Sequence, residues 1–211
     1  LFYDLTALLA TLLTSVCFIE GFYIYDFMTL FLSTLFVYYL VKEKWIHLAI
    51  VFTVFAFHKE TCIFFLALFA VAQIYWPRLD GKKFILIGAY MLAVFAASRI
   101  VLMAAFAGNP GSNLEFHLFR NLIFFMTRFE LTTAIAYVLL LVILFRNWSA
   151  QPKPFKLYFY LSFGIFSAGL FFGFAEELRQ YYEVYPAAIA LISRNLMELA
   201  GADISVNPKY A

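Results

Sequence analysis

Three features of this sequence predict an all-α polytopic membrane bundle of about eight spans, several of them short. Of its 211 residues, 65% are apolar and only 13% charged, against about 25% charged in a water-soluble domain. The mean hydropathy is +0.87. The apolar residues also fall into separate runs of helical length, whereas barrel strands would alternate apolar and polar over roughly ten residues. The 28 Phe and 14 Tyr suit aromatic belts at membrane interfaces and point to no particular activity.

In chain order, the first run is Leu5 to Ile19, ended by Glu20-Gly21. A second goes from Phe27 to Val41 and is closed by Lys42-Glu43-Lys44. The third, Trp45 to Phe57, meets His58-Lys59-Glu60, and the fourth runs from Thr61 to Trp76. Pro77 to Lys83 reads as a turn and loop. The fifth run, Phe84 to Phe106, is long enough to span and carries Arg99; Gly108-Asn109-Pro110-Gly111 breaks it. Residues 112–127 are expected to form an amphipathic helix in the outer interface, with Ser112 and Glu115 as its capping box. Leu131 to Phe145 and Leu157 to Ala175 are the sixth and seventh spans, and Tyr185 to Leu199 a short eighth. The chain is read as one transmembrane domain over 1–211. Because it opens on Leu1, with neither Met nor a charged n-region, it is expected to lack its N-terminal part and not to start with a signal peptide.

Charge sets the parity of the crossings. Ile46 to Trp76 is long for one helix and short for two. Two helices place the basic loops 42–44, 77–83 and 146–156 on one side, as Lys and Arg favour cytoplasmic loops. The segments 20–26, 58–60, 107–130 and 176–183 then share the outer face, and they gather Glu20, Asp26, Glu60, Glu115, Glu130, Glu176, Glu177 and Glu183. Runs of ~13 and ~16 residues rise only ~20–24 Å, at 1.5 Å per residue, against a ~30 Å hydrocarbon core. The His58-Lys59-Glu60 junction is therefore expected to lie in an outward cleft, since polar backbone at depth needs protein or water beside it.

Titratable groups in or near a bilayer are costly and mark sites by default. Asp26 is either a helix N-cap or an acid that binds a sugar hydroxyl or acts as a base. Lys59 and Glu60 either snorkel to the interface, with Thr61 starting the next helix, or recognise an anion, Lys59 supplying the charge and Glu60 holding it. Arg99 must face the bundle, snorkel or pair with an acid; pairing with an acid and contact with a lipid phosphate both point it inward. His117 and Asn121 lie one helical turn apart and are either a polar face or contacts to a substrate head group. Glu176, Arg179 and Glu183 share a helical face beside Glu177, Tyr181 and Tyr182, as an internal ion pair or as a carbohydrate or phosphate site. Cys17 and Cys62 read as unpaired packing residues.

An acid opening a span (Tyr25-Asp26), a basic hairpin (Lys42-Glu43-Lys44-Trp45) and the junction Ala56-Phe57-His58-Lys59-Glu60-Thr61 resemble the bacterial polytopic glycosyltransferases of the GT-C superfamily. Gly108-Asn109-Pro110-Gly111, His117-Leu118, Asn121-Leu122 and Glu177-Leu178-Arg179 are similar to segments of uncharacterised relatives of that group. The chain departs from the pattern in two places: no proline precedes Asp26, and the first outer loop, which carries the catalytic acid in such enzymes, would lie before Leu1 or be absent. The resemblance implies sugar transfer from a polyprenyl-phosphate donor to a glycan, lipid or protein acceptor on the outer face of a bacterial inner membrane. Carried over, Asp26 and Glu60 are the acidic site residues, with Lys59 and Arg179 as phosphate or sugar contacts and His58, Glu177, His117, Asn121 and Arg99 as further binding candidates.

Two alternatives stay open. Ala56-Phe57-His58-Lys59 also resembles a motif of Wzy-type envelope polysaccharide polymerases, and a non-catalytic membrane subunit or transporter would use the same polar junctions as packing ion pairs. No dinucleotide fingerprint, P-loop, nucleophile elbow or zinc-protease motif is present, nucleic-acid binding has no support, and no cofactor is identified; a divalent metal requirement is left open.

Overall fold

The structure, a computed structural model, describes residues 24–108, 115–128, 131–173 and 183–201. Among the described residues the fold is all-helical, with no strand. The chain divides into two compact units: Tyr23–Leu114, and Glu115–Ala211 together with Leu1–Phe22.

The first unit holds α1 (Ile24–Val41), α2 (Trp45–His58), α3 (Ile63–Tyr75) and α4 (Gly81–Ala105), with a 3-10 turn at Glu60–Cys62 leading into α3. α1 ends in a Schellman arrangement: Glu43 takes φ +58°, its N–H donates to Leu40 O, and Lys44 N–H donates to Tyr39 O. The next helix begins at once, so α1 and α2 are antiparallel neighbours. Their contact is aromatic. Phe36, Phe52, Phe55 and Phe65 have no exposed surface, and Phe65 meets Phe36 edge-on at 5.2 Å and Phe55 at 4.9 Å. Such ring pairs contribute about 0.5–1.5 kcal/mol each beyond the area they bury.

Trp45–Tyr75 is thus two helices with a break at Lys59, and two sets of contacts define the ends of the unit. Arg78 Nε lies 3.6 Å from Glu43 Oε1, so the α1/α2 turn and the α3/α4 connection are side by side. At the other end, Thr29 near the start of α1 meets His58 at the end of α2, and Arg99 late in α4 meets Glu60. α4 begins at Gly81, earlier than the Phe84 expected, because Asp80 caps it by accepting from Lys83 N–H at 2.9 Å.

The second unit holds α5 (Leu118–Arg128), α6 (Leu131–Phe145), α7 (Lys153–Phe172) and α8 (Tyr185–Leu199). The predicted helix over 112–127 is shorter than expected. Residues 115–117 are not helical, so Glu115 is not in its first turn, and Ser112 lies outside the described residues. α5 is instead fixed at its start, where His117 N–H donates to Phe171 O and Asn121 Nδ2 donates to Leu170 O and Gly173 O. These are the carbonyls that the end of α7 leaves without helical partners.

α8 departs from the expected eighth crossing. Leu191 packs with Leu144 and Phe159, while Ala188 and Ile192 join Trp148 and Phe155 around them. Tyr158 OH donates to Glu183 O just before the helix, and Asn147 Nδ2 donates to Glu198 Oε2 near its end. Both ends of α8 therefore meet residues 143–159, one end of the α6/α7 hairpin. Phe171, where His117 is held, is thirteen residues beyond Tyr158 on α7, about 20 Å at 1.5 Å per residue. Glu183, expected on the outer face with 107–130, is buried at the opposite end of α7.

By length and composition, Gly81–Ala105 and Lys153–Phe172 can each cross a membrane, and the other apolar helices are shorter.

Candidate functional site

Titratable side chains of both signs stand together at the Lys59 break. α2 stops because Lys59 is extended (φ −151°, ψ 139°), its N–H still donating to Phe55 O. A continuing helix would have sent Glu60 N–H to Ala56 O. Glu60 opens a new turn instead, and Ala56 O receives Arg99 Nη2 from α4. Arg99 thus satisfies a carbonyl that the break orphaned.

Three further contacts complete the geometry. Arg99 Nη1 lies 3.6 Å from Glu60 Oε2, with the Glu60 side chain 74% exposed and that of Arg99 24%. The guanidinium sits over the Phe95 ring at 5.6 Å, a cation–π contact. His58 Nε2 shares a hydrogen bond of 2.9 Å with Thr29 Oγ1, which is buried. Asp26 stands in the first turn of α1, one turn before Thr29; its side chain lies outside the described residues. His58, Lys59, Glu60, Arg99 and the start of α1 accordingly share one end of the unit.

The partner found for Glu60 is Arg99, where the sequence paired it with Lys59. Lys59 is half-buried. The helical run restarts at Glu60, one residue before the expected Thr61. A cavity lined by Leu40, Trp45, Phe69, Gln73, Trp76 and Arg78 lies at the other end of the unit, away from the junction where a cleft was expected. Cys62 is a buried free thiol. Among the described residues, no three His, Cys, Asp or Glu side chains gather as a metal ion would need.

In the second unit, His117 Nε2 lies 3.3 Å from Glu115 Oε2. Asn121 has no exposed surface and spends its amide on two α7 carbonyls. It brackets the start of α5 to the end of α7. Glu177 and Arg179 lie outside the described residues.

One constellation escaped the sequence reading. Arg194, 5% exposed, pairs with Glu198 at 3.0 Å and donates to Ala150 O. Asn195 accepts from Gln151 Nε2 at 2.7 Å and donates to Ile143 O and Leu144 O. The network closes the 146–151 connection over the end of α6. The rule that singled out Arg99, a charge inside an apolar run, applies equally to Arg194 and Glu198.

No protein-family model, curated protein or solved structure matches this chain.

Proposed function

We propose that this chain is an integral membrane glycosyltransferase of GT-C-like type, which moves a sugar from a polyprenyl-phosphate carrier to an acceptor on the outer face of a bacterial inner membrane. Its membrane character is supported by the apolar side chains exposed along α4 and α6, among them Leu86 at 70% and Leu131 at 76%. Such continuous apolar surface suits lipid better than water.

One observation carries the catalytic reading. The Lys59 break brings His58, Lys59, Glu60 and Arg99 to the end of the unit where α1 begins, with Asp26 in its first turn. Transfer needs a base for the acceptor hydroxyl and cations for the leaving phosphate. In this reading the acceptor oxygen attacks the anomeric carbon, its proton passes to Asp26, and the sugar–phosphate bond breaks, leaving the charge on the carrier phosphate. Lys59 and Arg99 offset that charge, and Glu60 is the counter-ion of Arg99 before the carrier phosphate arrives.

A second reading, a non-catalytic membrane subunit, draws on the internal duties of the polar groups: Arg99 caps Ala56, Asn121 brackets α7 and Arg194 closes a loop. The two readings separate in an assay with radiolabelled polyprenyl-phosphate sugars and membranes containing the chain. Asp26→Asn and Lys59→Ala should each abolish transfer at unchanged membrane yield. Transfer retained in both variants removes the enzyme reading.

A further inference from the structure

The junction holds an ion pair built to come apart. Arg99 and Glu60 approach only to 3.6 Å, beyond the 2.7–3.2 Å of a formed N–H···O bond. Glu60 carries 74% of its side-chain surface into the surroundings, so its ionised form needs no partner. Arg99 is the opposite case. It is three-quarters buried, one arm is committed to Ala56 O, and its buried Nε has no hydrogen-bond partner among the described residues. A guanidinium stays charged at any working pH, so it requires an anion, and the one it has is loosely held. The helical run that restarts at Glu60 has no side-chain cap at Lys59 and adds the positive end of a helix dipole at the same place.

We propose that Glu60 is a displaceable counter-ion, and that the anion replacing it on Arg99 is the phosphate of an amphiphile, a phosphate ester on an apolar tail. The inference rests on the lipid-phosphate reading of this site and adds an order of events to it. Ala56 O keeps the guanidinium in place while its outward face exchanges a carboxylate for phosphate oxygens. Guanidinium and phosphate match in a two-bond fork that an ammonium cannot reproduce. Glu60 swings into the surroundings, where its charge is solvated, so the exchange needs no rearrangement of α2, α3 or α4.

The test is a calorimetric titration of the purified full chain in dodecyl maltoside, with dodecyl phosphate and with inorganic phosphate as separate probes. Glu60→Gln should bind dodecyl phosphate about two- to fivefold more tightly than the parent, the gain expected when an exposed competing ion pair is removed. Arg99→Lys, which keeps the charge and loses the fork, should weaken binding at least about tenfold. Lys44→Gln, at the other end of the unit, should leave it unchanged. Glu60→Gln binding equally or more weakly overturns the proposal, because an orienting partner should not compete with the ligand. Inorganic phosphate binding as tightly as dodecyl phosphate overturns the amphiphile assignment. The Glu60→Gln comparison stands even where Arg99→Lys fails to fold. No sugar is transferred in this titration, so loss of the transferase reading in the activity assay and loss of the exchange here are separate results.

Discussion

Arg99, Asn121 and Asn195 are polar residues among apolar neighbours, and each meets backbone carbonyls that a helix end or break has left open. The buried carbonyl sets the cost, since leaving one unsatisfied costs about 1–3 kcal/mol. Asn121 shows this most simply: both its amide bonds go to the end of α7. Asn121→Asp keeps the shape and removes both donations, so the second unit should lose about 1–3 kcal/mol for each carbonyl left open, read as a lower thermal midpoint in detergent. An unchanged midpoint would show that α5 is held by something else. A lone Asn in an apolar run announces a polar need, but whether substrate or backbone meets that need depends on what lies across from it, here a helix end some fifty positions away.

Helix ends are where the elements differ most from their apolar runs. α4 starts three residues inside a segment that reads as loop, because Asp80 accepts from Lys83 N–H and also lies 3.2 Å from the Lys83 ammonium. The backbone bond and then the ammonium hold the Asp80 carboxyl below the usual carboxylate range. A depressed folded value means that the cap contributes fully above the ordinary carboxylate pKa and loses its contribution as pH falls through the lowered one. Asp80→Ala should therefore be less stable than the parent near neutrality, the gap closing in acid. A gap of the same size throughout a pH series of unfolding midpoints would assign the effect to packing. α8 makes a related point. Its composition permits a short span, yet its buried face, Leu191, Arg194 and Asn195, is matched to the loop and end of the α6/α7 hairpin.

For the molecule as a whole, polarity is the testable property. In the first unit, Glu43 with Arg78 marks one end, and Glu60 with Arg99 the other. Lys42, Lys44, Lys82 and Lys83 belong to the first of these ends by their place in the chain, the distribution from which a cytoplasmic placement of that end is proposed. Single cysteines at Lys44 and Lys82 should be labelled by an impermeant maleimide only from the cytoplasmic side, and one at Glu60 only from the outside. Labelling of all three from one side would undo both the membrane orientation and the outer-face site.

Periodic apolar runs and the placement of Lys and Arg were enough to determine the all-helical character of the described residues, the division of Trp45–Tyr75 into two helices, and the grouping of the start of α1, where Asp26 lies, with His58, Lys59 and Glu60 at one end of the first unit. These follow from local rules, in which chain length, hydropathy and charge act residue by residue. The tertiary structure alone decided that Glu60 faces Arg99, that Asn121 and Asn195 are spent on carbonyls, and that α8 stays at one end of its hairpin. Each of these turns on which polar group a distant helix brings within reach, and no spacing along the chain encodes that approach.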